Sequence, residues 1–167
     1  MTSRSDLLSR YSILQGLTEE QLEVFADLLS EMKFSEDEPL MVEGDEGFCM
    51  YFLTKGSVKI SQKLKLLSEE MAQQIRDKTL LTLKAAHYPA FGEMALIGEG
   101  VRTATVTCVE DCELLELHRD AFEMLLTKHH DIAVQLLLNI SKTLSSRLAK
   151  ANQDVLKLTT ALSIALG

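Results

Sequence analysis

The hydrophobic rhythm of the chain changes twice. In "LTEEQLEVFADLLSEM" the apolar residues recur at helical spacing, with Leu22, Phe25, Leu28 and Leu29 on one face. Thr18 stands at the N-cap position, and Gln21 three residues later completes a capping box. The pattern predicts an N-terminal helical segment over residues 1–35. After "SEDEP" the runs shorten: "LMVEGD", "CMYFLTKG", "SVKISQK", "TLLTLK", "RTATVTCV" and "CELLELH", many of them alternating, with Gly44, Gly47 and Gly56 between the earlier ones. Short strands so closely spaced by turns predict a mainly β fold, an eight-stranded double-stranded β-helix (jelly-roll) barrel over residues 36–119. From Asp120 the helical period returns, with no proline and no glycine before Gly167, so C-terminal helices are expected over 120–167. The whole chain, 1–167, reads as a single domain.

Two stretches depart from this scheme. "KLKLLSEEMAQQIRDK" lies between two predicted strands. Ser68 suits a cap, Glu69 and Glu70 the positive end of a helix, and Arg76 and Lys78 its negative end, so an inserted helix is expected near 68–78. The second departure is the length of the last helix. Leu137, Ile140, Leu144, Leu148, Ala151, Val155, Leu158, Leu162 and Ala165 recur at threes and fours, and the two fours from Ile140 to Leu148 break the heptad as a stutter does. This stripe outruns what a compact barrel needs to cover itself. It predicts pairing with a second copy of the chain through the C-terminal helix, set against packing back onto the barrel.

Composition narrows the function. Hydrophobic residues make up 46% and charged residues 25% of 167, the balance of an ordinary globular domain. The net charge of −8 makes the chain as a whole a poor match for nucleic acid or an anionic membrane. The opening "MTSRSDLLSRYSILQGLTEEQ" has neither a signal-peptide core nor a spanning run, so a cytoplasmic protein is expected. Of the three cysteines, one must stay unpaired. Cys108 and Cys112 bracket "VED", which fits a three-residue hairpin loop and would set them within reach of a disulfide. The alternative, and the expectation taken, is two reduced, half-buried thiols.

The chemistry gathers in "FGEMALIGEGVRTATV", residues 91–106, where an apolar, strand-like stretch carries Glu93 and Arg102 with small residues beside each. Buried charges need a partner. The two fit either an internal ion pair or a shared polar, anionic ligand. A phosphodiester would suit the second case. Arg102 supplies a planar fork for phosphate oxygens, and Gly92 lets the backbone come close. A short helical turn at "EMAL" would aim free amides at the anion, and Glu93 would accept from a hydroxyl such as a ribose 2′-OH. Ala95 and Ala104 are small where bulk would close a pocket.

This segment and the barrel pattern closely resemble the cyclic nucleotide-binding domain family, which includes regulatory subunits of cyclic-AMP-dependent protein kinase, cyclic-nucleotide-gated channels and catabolite-activator-like regulators. The resemblance runs from about Tyr11 to Arg147. It takes in the "GDEG" turn at Gly44–Gly47 and the "YFLTKGSVKI" strand pair. The family's phosphate-binding cassette has the form F-G-E-x-A-L, a short spacer, then R-(S/T/A)-A-x-V, and every keyed position is filled here. The resemblance implies a ligand set of Gly92, Glu93, Met94, Ala95, Arg102, Thr103 and Ala104, with no catalytic residue, no metal and no prosthetic group. The ligand it implies is cyclic AMP or cyclic GMP. Thr103, whose hydroxyl can reach a guanine 2-amino group, points to cyclic GMP, while the wide use of cyclic AMP among bacterial-type regulators puts cyclic AMP first. The helix after the barrel is expected to close over the base, with Arg147 and Leu148 near it, and to signal to a protein effector.

The chain departs from the family in one place within the cassette region: "HYPA" replaces the usual glycine–aspartate turn before F-G-E. Residues 1–167 show no pattern for the helix-turn-helix, kinase or channel domains that accompany this module in the family: for a complete chain the expected output is another protein, and for a fragment it is a domain outside these residues. An enzyme is not expected. His87, His118, His129 and His130 are scattered, and there is no His-x-x-x-His, Cys-x-x-Cys, Gly-x-Ser-x-Gly or P-loop pattern. The alternative function is a barrel of the same fold that has lost nucleotide binding and serves as a redox or haem sensor or as a protein-interaction module. No cysteine precedes Cys49, which argues against an N-terminal cysteine cluster.

Overall fold

The computed structural model describes residues 3–63 and 77–166. The N-terminal segment is α1 (Arg4–Leu8), a 3-10 turn (Ser12–Leu14) and α2 (Glu19–Asp27). The capping box forms as read: the Gln21 amide donates to Thr18 Oγ1 at 3.3 Å, and the Thr18 amide donates to Gln21 Oε1 at 2.9 Å. The helical segment stops short of residue 35, however. Ser30–Phe34 form a strand, β1, rather than the end of the helix. The alternation Met32, Phe34 is a period of two, and both side chains pack toward the barrel interior while Glu31 and Lys33 are exposed.

Eight strands are found among the described residues. One sheet has the order β1, β8 (Cys112–His118), β3 (Cys49–Lys55), β6 (Ala90–Phe91). The other has the order β2 (Pro39–Met41), β7 (Thr105–Cys108), β4 (Ser57–Lys63), β5 (Asp77–Lys84). Every pairing is antiparallel. The two sheets are those of the expected jelly roll. Strand β6 had no sequence signal, being two residues long. The inserted helix expected near 68–78 falls for the most part on residues 64–76, outside the described residues. Residues 77 and 78 belong to β5.

Cys108 and Cys112 do not face each other across a hairpin. Strands β7 and β8 lie in different sheets, so residues 109–111 cross from one to the other. Cys108 sits opposite Val58, and Cys112 opposite Phe34. All three cysteines are free and buried. Burial, reinforced by a hydrogen bond with Cys112, pushes the Cys108 thiol up to about 12, so it stays protonated at neutral pH.

Between β6 and β7 lies α3 (Glu93–Ile97), within the cassette, and past the barrel come α4 (Arg119–Lys128) and α5 (His130–Leu166). The core has two compartments, and β3 is the wall between them. Met50 and Phe52 face the helices, packing with Leu8, Phe25, Leu125 and Leu136. Cys49, Tyr51 and Leu53 face into the barrel with Val58, Phe91 and Val106. A strand covered on both faces reads as a continuous apolar run, which is what "CMYFL" is.

Helix α5 has 37 residues and so is about 55 Å long. Its first third is bound to the N-terminal segment. Ile132, Ala133, Leu136 and Ile140 are buried, and the buried Asn139 Nδ2 donates to the carbonyls of Ile13 at 3.0 Å and Gln15 at 2.8 Å. From Ser145 to Leu166 every residue is exposed. Replacing Asn139 with alanine leaves the Ile13 carbonyl unpaired in the core and should cost about 1–3 kcal/mol. Urea unfolding should show a lower midpoint with an unchanged slope.

Candidate functional site

Two concave regions are candidates. A groove of about 570 Å³ between α1 and the β1–β8–β3 sheet is lined by Arg4, Arg10, Lys33 and Lys55 with Glu31 and Glu113. Its charges are exposed, and Lys33 and Lys55 share Glu113 loosely, at 3.7 and 3.6 Å. The second, a cavity of about 430 Å³, lies against the cassette. Among the described residues the only buried acidic or basic side chains are Glu93, 2% exposed, and Arg102, 5% exposed, and both line this cavity. Burying a charge is costly, so the second cavity holds the chemistry.

Its floor is built by glycine. Gly92 has φ +85° and forms the N-cap of α3, a backbone state side chains disfavour. A Cβ there would come 3.0 Å from Arg102 Nη1 and 3.1 Å from the Cys49 carbonyl. On the other side Gly47, in the "GDEG" turn, leaves room for the same guanidinium: a Cβ would fall 2.3 Å from Arg102 Nε. The turn is laced to the cassette by its backbone. Gly47 donates to Gly100 at 2.7 Å, Arg102 donates to Asp45 at 2.9 Å, and Gly44 donates to Arg102 at 2.9 Å.

Arg102 is thereby held between two glycines. Its Nη1 donates to the Cys49 carbonyl at 2.8 Å, its Nη2 to Cys49 Sγ at 3.1 Å, and its Cζ lies 5.7 Å from the Tyr51 ring centroid. The Cys49 thiol in turn donates to the Tyr51 hydroxyl at 3.1 Å. Burial pushes the Tyr51 phenol well above its ordinary range, and the bond with Cys49 adds to this, so it remains neutral beside the guanidinium. No carboxylate among the described residues pairs with Arg102. The internal Glu93–Arg102 pair that the sequence allowed is not formed. Instead Glu93 Oε1 accepts from Arg147 Nη1 at 2.5 Å, across from α5.

All seven residues expected from the sequence line the cavity. Glu93 and Ala95 are buried, Met94 is exposed, and Ala104 is half-buried. Thr103 is exposed at the rim, its Oγ1 3.9 Å from Met94 Sδ, with its carbonyl accepting from Gln62 Nε2 at 2.7 Å. Leu148, expected near the pocket, is exposed and does not line it. Sequence reasoning left out Cys49 and Tyr51, which hold Arg102. Their signal, two alternate positions of an apolar strand, looks like any barrel core. The "HYPA" departure also has a structural setting. Tyr88 takes a left-handed φ of +49°, with Arg10 Nη1 donating to its hydroxyl at 2.7 Å and its ring edge-on to Tyr11 at 5.7 Å.

The model of the cyclic nucleotide-binding domain family matches residues 31–129, more than half of the chain. The chain belongs to that family. This cyclic nucleotide-binding domain is similar to human cGMP-dependent protein kinase 2, with 29% identity over 163 residues that cover 95% of this chain and 20% of the kinase. It is also 27% identical over 143 residues to the cyclic AMP receptor protein of Thermus thermophilus, covering 86% of this chain and 60% of the receptor. Among solved structures, the catabolite activator protein of Thermus thermophilus superposes with a TM-score of 0.76 at 25% identity, over 89% of this chain and 63% of that one. The domain thus spans about a fifth of the kinase and three-fifths of the receptor. No helix among its described residues is long and apolar enough to cross a membrane.

The space between Gly47 and Gly92 can be tested without any ligand. Gly47→Ala forces the guanidinium out of its slot. The overpacking should cost about 1–3 kcal/mol, read as a lower thermal midpoint.

Proposed function

We propose that this domain is a sensor that binds a 3′,5′-cyclic nucleotide in the 430 Å³ cavity, cyclic AMP first and cyclic GMP second, and reports it through α5. The observation that carries the reading is Arg102: a guanidinium 5% exposed, facing a cavity, with no carboxylate partner among the described residues. A buried cation left without an anion costs several kcal/mol, and a cyclic phosphodiester supplies the missing charge. The first-turn amides of α3 add donors on the same side. Glu93 accepts the ribose 2′-hydroxyl, and Gly92, Met94, Ala95 and Ala104 shape the wall. Thr103 at the rim favours guanine through the 2-amino group, and the precedence of cyclic AMP rests on the regulators this chain resembles. The role is binding rather than catalysis, with Glu93 engaged by Arg147.

The same ion pair offers a route for the signal. Arg147 bonds α5 to the cassette, so a ligand that takes up Glu93 changes what holds the helix. The helix responds only to the extent that the ligand binds one of its positions more tightly. Beyond Arg147 the exposed Leu148, Val155, Leu158 and Leu162 form a stripe suited to a second copy of the chain, and a protein effector reads the result. Three buried free thiols fit the reducing cytoplasm.

Arg102→Ala should lower affinity for both nucleotides by about a hundredfold or more, from two lost charge-assisted hydrogen bonds. Calorimetric titration reads the loss, and unchanged binding would refute the reading. Deleting residues 152–167, all exposed or terminal, should weaken self-association in light scattering while leaving nucleotide affinity in place. A truncated chain that stays dimeric places the interface elsewhere.

A further inference from the structure

Arg119 opens α4, yet its guanidinium is spent on another helix. Nη2 donates to the carbonyls of Ala95 at 2.5 Å and Gly98 at 2.6 Å, and Nε donates to the carbonyl of Leu96 at 3.2 Å. These belong to the carbonyl end of α3, where a helix cannot satisfy its own acceptors. With five residues, α3 is far too short to hold itself together. A planar fork of donors with a fixed positive charge, placed at the negative end of a helix dipole, is the arrangement that can hold it.

The same side chain also braces the spacer between α3 and Arg102. The guanidinium lies 4.7 Å from the Phe48 ring centroid, and the Arg119 amide donates to the Phe48 carbonyl at 2.7 Å. The Phe48 ring rests against Gly100, where a Cβ would come 2.5 Å from Cε1. Gly98 and Gly100 both lie in this spacer, which separates Glu93 from Arg102. One residue therefore ties down both the exit of α3 and the loop that sets the distance between the two buried charges. Arg119 itself does not line the cavity.

We propose that Arg119 is the positioning residue of the cassette. It touches no ligand, holds α3 and the spacer so that Glu93 and Arg102 converge on one cavity, and carries any movement of α3 to the first turn of α4. This rests on the cyclic nucleotide reading for its ligand, though not for its mechanics. The hold on α3 requires the fork, so a lysine does not replace it.

The test uses the full chain with Arg119→Gln, Arg119→Lys and Phe48→Leu. In the nucleotide-free protein, amide hydrogen exchange over residues 93–101 should speed up by about tenfold in both Arg119 variants, with β3 and β8 unchanged. Phe48→Leu, which keeps an apolar side chain but removes the ring, should give a smaller effect in the same segment. Titration should show a common loss of about tenfold for cyclic AMP and cyclic GMP, and a smaller one for 2′-deoxy cyclic AMP, which lacks the hydroxyl that Glu93 accepts. Unchanged exchange over 93–101 overturns the proposal. So does faster exchange spread evenly over β3 and β8, which would make Arg119 a general stability residue, and so does a loss that differs between cyclic AMP and cyclic GMP, which would make it a contact to the base. A wild-type chain that binds none of the three overturns the ligand reading instead, and the exchange measurement alone then decides whether Arg119 holds α3.

Discussion

A guanidinium leaves water only where other groups replace its hydration, and much of this domain is arranged around doing so for Arg102. The acceptors come from β3, through the carbonyl and sulfur of Cys49. The space comes from Gly47 and Gly92, neither of which has a side chain to intrude. The position comes from the backbone bonds that tie residues 100–102 to the turn at 44–47. What the protein does not supply, among the described residues, is a neutralising carboxylate. A charge desolvated and unneutralised is a standing attraction for an anion of the right size. In a chain of net charge −8 that attraction is local to the cavity and opposed by the overall field.

Strand β3 makes this site part of the fold. One face of it bears Met50 and Phe52, with Phe52 edge-on to Tyr11 at 5.2 Å and to Phe25 at 5.8 Å. The other face bears Cys49 and Tyr51, which hold the guanidinium. The Tyr11 hydroxyl closes the arrangement by donating to the Leu53 carbonyl at 2.7 Å. A shift of β3 felt by the helices is therefore felt by Arg102 as well, because close-packed side chains transmit displacement rather than absorb it.

Helix α5 divides by burial. Up to Ile140 one face of it is core, and Asn139 and Gln135 bond it to the N-terminal segment. Past Ser145 it is exposed, although Leu148, Val155, Leu158 and Leu162 keep an apolar period. Arg147 lies at the junction, reaching back to Glu93. Arg147 thus stands where the helix passes from buried to exposed.

The sequence by itself determined the class of fold and the residues of the cassette. Period and turn spacing are local properties, so the capping box at Thr18, the jelly-roll strands and the long last helix could be read from them. The cassette was legible for a similar reason, since Gly92 to Ala104 is one continuous segment. The strand Ser30–Phe34 and the two-residue β6 were not, because a single alternation or a dipeptide becomes a strand only when a neighbour offers hydrogen bonds. The same limit applies to the cysteines. Residues 108–112 look like a hairpin until the chain is seen to cross between sheets. Only the tertiary structure decided which charges meet: Glu93 with Arg147, 54 residues away, and Arg102 with Cys49, 53 residues away in the other direction. Ion pairs and hydrogen bonds act over a few ångströms of space and are indifferent to separation along the chain. The partners of two buried charges are therefore settled only when the fold brings the strands and helices into contact.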